Sequence, residues 1–343
     1  ISPVAAENRA MISLLMGNSP DLKVRNLHLG CQRLPGVLFF LSDMADLTQV
    51  MTILDSLVVG LRSEQLPNPT AGSFQTLLEQ STPSAVIQQI PTIGDLLTGI
   101  LTGQTILLVD GLSVALQFTT DGPVGRKPDE PMGEPVVRGP KDGFTEAASV
   151  NLSLIRRRLR DDRLRVEEIT VGSRSHTRVY LVYMLEVSLP SLVEEVRQRV
   201  SRINIDAVLE SGYIEELIED QPFTIFPQVK ASERPDVIVS GILEGKVALI
   251  TDGSPHVLVM PATFAAEMQA AEDYYHRSPI SSFIRALRYV FVFIAFLGPG
   301  IYVAITNYHH EVIPTTLLTS LIAAREGVPF PTLLEALFME LTL

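Results

Sequence analysis

Polar and apolar residues alternate, or nearly so, in "LKVRNLHL" (Leu22–Leu29) and in "LRVEEITV" (Leu164–Val171), the period of a strand with one face in a core. "VLFFLS" (Val37–Ser42) and "VYLVYML" (Val179–Leu185) are apolar without interruption over strand length, which predicts central strands. A helical period follows each of these runs. Leu47, Val50, Met51, Leu54 and Leu57 fall on one face of a first helix, and Leu192, Val193, Val196 and Val200 on one face of a second. Further on comes a short apolar helix ending at Gly103 or Gly245, then a strand, an Asp-Gly pair and another strand. Asp110-Gly111 and Asp252-Gly253 each stand between apolar runs, the signal of a tight hairpin with both central residues at positive φ.

The same order of elements occurs twice, and so do the residues. "GILTGQTILLVDG" (Gly99–Gly111) and "GILEGKVALITDG" (Gly241–Gly253) agree at seven of thirteen positions. Sliding the chain by this offset of 142 residues also brings Leu22, Val24, Leu27 and Gly30 onto Leu164, Val166, Ile169 and Gly172. It carries Val37–Leu47 onto Val179–Leu189 without a gap. A constant offset over that distance marks a duplicated domain. The expected fold is therefore a tandem pair of α/β (α+β) domains, residues 1–120 and 147–272. Between them, 121–146 is too rich in glycine and proline for a regular element and reads as a linker, with Val136, Val137 and Phe144 available to pin it.

From Tyr289 to Tyr308, "YVFVFIAFLGPGIYVAITNY", twenty residues carry no charge, enough for a helix to cross a bilayer. Residues 273–343 are thus expected to begin a membrane domain, with Gly298, Pro299 and Gly300 bending the span and Asn307 near its end. Arg277, Arg285 and Arg288 precede the span, so residues 1–288 are expected on the cytoplasmic side. "VIPTTLLTSLIAA" (312–324) is shorter and reads as interfacial or re-entrant. Glu335 and Glu340 lie in a further apolar helix, where carboxylates face a bundle interior or an aqueous path, or else mark a helix lying on the surface. The chain ends within this apolar run and reads as a piece of a longer protein.

Net charge is −12, which argues against a nucleic-acid partner, and the mean hydropathy of +0.25 reflects the apolar C-terminal stretch. Cys31 is the one cysteine, so no disulfide framework or paired-cysteine metal site exists; its expected place is a core. "GILEGKV" fails as a phosphate loop, because the glycine spacing is short, Val247 replaces the hydroxyl residue and a strand follows. Asp110 and Asp252 are accounted for by turn chemistry. The arginine-rich run 156–165 reads as a solvated helix face, and the adjacent His309 and His310 diverge on a helix. No pattern of a catalytic, metal or cofactor site emerges, so the chain reads as a non-enzyme.

"RGPKDGFTE" (Arg138–Glu146), "ERPDVIVSGILEGKVALITDGSPHVLVMPATF", "YVAITNYHHEVIPTTLL" and "PFPTLLEALFMEL" together resemble the GerA family of spore germination proteins, the A subunits of germinant receptors, to which the stage V sporulation protein AF is closely related. The resemblance covers nearly the whole chain. It implies two related cytoplasmic subdomains followed by a multi-helix domain in the inner membrane of the spore. It further implies a transporter-like B subunit and a lipoprotein C subunit as partners, and oligomers of the A subunit that release ions when nutrients trigger germination. Family members often carry more acids before "RGP" than the "RKPDEPMGEPVV" found here. Arg138, Gly139, Pro140, Phe144, Thr145 and Glu146 become interaction candidates on this basis, with Arg138 and Glu146 expected to fix the linker. Two alternatives remain beside a signalling subunit: a membrane-anchored scaffold, and a small-ligand module closing between two lobes.

Overall fold

The computed structural model describes residues 1–60, 75, 76, 78, 86–120, 131, 133–136, 138–221, 224, 226–309, 311, 313, 314, 316, 317, 319, 320, 323 and 330–342. Compactness divides the chain into one unit over Ile1–Phe264 and a second over Ala265–Leu343.

The first unit contains two lobes built to one plan. In the first lobe these elements are α1 (Ala5–Leu15), β1 (Leu22–Leu29), β2 (Leu34–Leu41), α2 (Leu47–Asp55, running into a π-helical turn), β3 (Ile87–Ile90), α3 (Ile93–Leu101), β4 (Thr105–Val109) and β5 (Ala115–Phe118). The second lobe repeats them as α4 (Ala148–Arg158), β6 (Leu164–Val171), β7 (Thr177–Met184), α5 (Pro190–Arg202), an added α6 (Ser211–Ile218), β8 (Lys230–Ser232), α7 (Pro235–Leu243), β9 (Val247–Thr251) and β10 (Val257–Met260). The sheet orders are β1-β2-β4-β5-β3 and β6-β7-β9-β10-β8, with every neighbouring pair antiparallel.

Helices cover both faces of each sheet, which explains why the central strands are apolar throughout. Val37, Phe39 and Leu41 of β2 pack with α1 and α3, whereas Leu38 and Phe40 pack with Val50, Ile53 and Leu57 from the α2 segment. In β7, Tyr180, Val182 and Met184 take the first role, and Val179 and Leu181 the second. This pairing corrects the gapless offset. β2 corresponds to β7 at 143 residues, since the β1–β2 connection spans 30–33 and its counterpart 172–176. An offset of 142 would set Val37 on Val179, which faces the opposite side of its sheet. One residue of slip exchanges the two faces of a strand, so the insertion belongs in the hairpin loop.

Three further expectations change. Leu47 and Met51 are about half exposed, and the buried stripe of the α2 segment is Val50, Ile53 and Leu57, because the helix turns only that edge toward the sheet. Cys31 is exposed, carried outward by the β1–β2 turn. The Asp-Gly connections are five residues long rather than two, and only Gly111 (φ 87°) and Gly253 (φ 93°) have positive φ.

The longer connection serves the helix that opens each lobe. Asp110 Oδ1 accepts from the Ala5 amide at 2.7 Å, and Asp252 Oδ1 from the Ala148 amide at 3.2 Å. Gly111 and Gly253 donate their amides to the carbonyls of Pro3 and Glu146, both at 2.8 Å. Neither α1 nor α4 has a side-chain cap from its own flank, so the aspartate supplies one across the lobe. Asp110→Ala and Asp252→Ala are each expected to cost about 1 kcal/mol, as the loss of an N-cap acceptor does. Equal urea midpoints for wild type and both variants would dismiss the capping role.

In the second unit, α8 (Ser278–Asn307) runs 30 residues, beginning eleven residues before the uncharged stretch and continuing through Pro299. It is long and apolar enough to cross a membrane. α9 (Thr332–Thr342) follows. Residues 312, 315, 318, 321, 322 and 324 of the 312–324 stretch lie outside the described residues, as does His310.

Candidate functional site

The arginine-rich run is solvated at Arg157, Arg160 and Arg163 but not at its first member. Arg156, on α4, is 1% exposed and reaches the segment before β1, where its Nε donates to Asp21 Oδ2 at 2.6 Å and its Nη2 to Ser19 Oγ at 2.9 Å. The Asp21 side chain is itself 3% exposed. A guanidinium and a carboxylate so enclosed hold only as a pair, because either one alone would carry an unrepaid desolvation cost. Arg156 Nη1 has no hydrogen-bond partner. Beside the pair stands Asp43, on the connection leaving β2. Burial and the neighbouring Asp21 push its carboxyl up to about 6, against the opposing pull of Ser42, Lys23 and Arg156. Arg165 of β6 packs on Gly17, where a Cβ would lie 2.5 Å from its Cδ. The two lobes therefore meet across a small seam of buried charge.

The linker candidates separate into those that bind and those that do not. Phe144 is buried in the second lobe's core against α4 and α7, and its amide donates to the Glu233 carbonyl at 2.8 Å. Thr145 exchanges hydrogen bonds with the Asn151 side chain, donating its amide at 2.7 Å and accepting on its carbonyl at 2.6 Å. Gly139 and Pro140 are half-buried. Arg138 is exposed and makes no ion pair among the described residues, and Glu146 acts through its carbonyl alone. The charges that fix this segment are others. Asp142 takes both carboxylate oxygens to Arg158 Nη2 at 2.5 and 2.6 Å. Glu134 accepts from Ser232 Oγ at 2.6 Å. The reason is position: Arg158 and Ser232 lie on elements of the lobe.

In the second unit, Gly298, Pro299, Glu335 and Glu340 border a cleft of about 270 Å³ between α8 and α9. Pro299, Gly300 and Glu340 border a second of about 400 Å³. Asn307 Oδ1 accepts from Thr332 Oγ1 at 2.9 Å, tying the end of α8 to the start of α9. Two of the three arginines before the span are engaged. Arg288 Nη1 lies 3.0 Å and Arg285 Nε 3.5 Å from Asp273, and the Arg285 guanidinium sits 5.8 Å from the Tyr274 ring centre. Burial raises the Asp273 pKa, but the Arg288 hydrogen bond and both positive charges outweigh it and hold the group below the usual carboxylate value.

No group of three metal-ligating side chains occurs among the described residues. The model for Bacillus/Clostridium GerA spore germination proteins matches residues 10–343. The chain belongs to the GerA family. It is 39% identical to spore germination protein KA of Bacillus subtilis over 99% of its length and 62% of that protein's, and 37% identical to spore germination protein GerLA of Bacillus cereus over 96% and 66%. Stage V sporulation protein AF of B. subtilis is 33% identical over 80% of the chain and 55% of that protein. The N-terminal domain of the A subunit of the Bacillus megaterium spore germinant receptor GerK3 is similar in structure, with a TM-score of 0.60 and 29% identity, over 77% of this chain and 97% of that one. This GerA chain spans a little under two thirds of the first of these relatives. The pairing of Asp21 with Arg156 was missed in the sequence because the two are 135 residues apart and the arginine sits in a charged run.

Proposed function

We propose that this chain is the two-lobe region and first membrane helix of a germinant-receptor A subunit, a membrane signalling component that releases ions when nutrients trigger germination. The observation that carries the reading is one of order. A two-lobe unit similar to the N-terminal domain of a germinant-receptor A subunit is followed directly by a 30-residue apolar helix, within a family match covering both. The relatives named as spore germination proteins support the same role. The partners on this reading are a transporter-like B subunit, a lipoprotein C subunit and further copies of the A subunit, in the inner spore membrane.

Liposomes holding the full-length protein with its B and C partners test this directly. A mixture of amino acids and sugars is expected to release trapped potassium, and omission of the A subunit to abolish the release. Retention of potassium in the complete assembly, with the three proteins still co-purifying, would favour the scaffold.

Orientation has its own probe in the exposed Cys31. With residues 1–288 cytoplasmic, a membrane-impermeant maleimide applied to intact cells spares Cys31 and labels a cysteine placed at His310 in a Cys31→Ser background. The opposite pattern would invert the topology.

A further inference from the structure

We infer that the outer face of α6 is a docking surface for a basic amphipathic helix of a partner protein. The inference concerns the second lobe alone and does not rest on the receptor reading.

α6 is anchored by its inner face. Ile214 and Ile218 are buried in the second lobe's core with Val208 and Val229. Glu210 caps the helix, accepting from the Gly212 amide at 2.6 Å and from Ser254 Oγ at 2.7 Å. The opposite face carries apolar side chains into solvent. Tyr213 and Leu217, one turn apart, are 48% and 49% exposed, and Leu209, just before the cap, is 68% exposed. On a helical period Tyr213, Glu216 and Leu217 fall within about 100° of one another, and Glu216 is exposed as well. A firmly seated helix with apolar residues at i and i+4 on its outer side is what one amphipathic helix offers to another.

Charge selects the partner. Residues 203–229 contain six carboxylates, Asp206, Glu210, Glu215, Glu216, Glu219 and Asp220, and no lysine or arginine. Three are engaged: Asp206 lies 3.5 Å from Arg174, Asp220 accepts from Arg199 Nη2 at 2.5 Å, and Glu210 is the cap. Glu215, Glu216 and Glu219 make no ion pair among the described residues. Burial, with Glu219 and Glu210 close by, holds the Glu215 carboxyl above its usual value against the pull of His256. α5, which packs beside α6, pairs its own outward charges along the helix instead, Arg197 with Glu194 and Arg199 with Glu195, as a solvated face does. The surplus acid on α6 repels nucleic acid and anionic lipid alike. It attracts a helix whose apolar stripe is flanked by lysine or arginine, and the charges set the orientation in which the two stripes meet.

The probe is a synthetic helical peptide with leucines along one face and lysines on either side of them. It is titrated against the full chain in phosphatidylcholine nanodiscs, with empty discs as the blank. Saturable binding is expected, weakened about tenfold by Leu217→Ser, which removes an apolar anchor, and by Glu216→Lys, which reverses a flanking charge. Both sites are exposed, so the variants should keep the wild-type urea midpoint. Absence of binding, or equal affinity in the wild type and both variants, would refute the surface. So would equal affinity for a peptide of the same composition with its leucines scattered around the helix. Self-association of the wild type that both variants abolish, without peptide binding, would assign the face to a second copy of this chain and overturn the inference too.

Discussion

Arg156→Ala is expected to lower the stability of the two-lobe unit by about 3–5 kcal/mol, among the largest effects of any single substitution in it. Removal of the guanidinium leaves Asp21 buried without its partner, and the cost of that isolated charge exceeds the contribution of the intact pair. A domain of ordinary stability holds about 5–15 kcal/mol in all, so the variant should unfold at markedly lower urea. The companion double variant Arg156→Met, Asp21→Asn removes both charges of the pair and should recover most of the loss, because Asp21 is then no longer a buried carboxylate without its partner. Equal losses in the single and double variants would mean that packing volume, not charge, holds the seam. The surface pair Arg174–Asp206, at 3.5 Å with both side chains more than three-quarters exposed, provides the contrast: Arg174→Ala should change stability by less than about 1 kcal/mol.

Phe144→Ala is expected to cost about 3–5 kcal/mol, the range for deleting a buried aromatic side chain. Its ring is the apolar anchor by which the linker joins the second lobe's core. Its loss should also free the neighbouring backbone, so trypsin should cut after the exposed Arg138 faster in the variant than in the wild type. Asp142→Asn removes only the charge at the half-buried Arg158 and should speed cutting less. Unchanged cleavage in Phe144→Ala would separate the linker's docking from its aromatic anchor.

Much of this architecture was legible because it depends on local pattern. The alternation in Leu22–Leu29, the apolar run from Val37 and the uncharged stretch from Tyr289 each state their element through spacing alone, and the repeat doubled the signal. What was not legible depends on residues meeting across long separations. The run Arg156–Arg165 has the composition of a solvated face, and only the fold brings Asp21 to one of its members. The same holds for Asp110 and Asp252, whose turn role is local but whose hydrogen bonds to Ala5 and Ala148 are not. The one-residue insertion before β7 escaped notice because an apolar run looks alike in either register; only the assignment of side chains to the two sheet faces distinguishes them.

The caps on α1 and α4 have a consequence for the order in which the chain can fold as it is made. Ala5 waits for Asp110, 105 residues later, before its amide has an acceptor, and α1 cannot be finished until β4 has left the ribosome. The first lobe can then close on its own, with one exception. Asp21 stays without its cation until Arg156 arrives, 135 residues downstream. During synthesis, therefore, a completed first lobe passes through an interval with an unpaired carboxylate, and emergence of α4 ends it. A pause in translation between Phe118 and Arg156 would lengthen that interval and expose this nascent chain to misassembly.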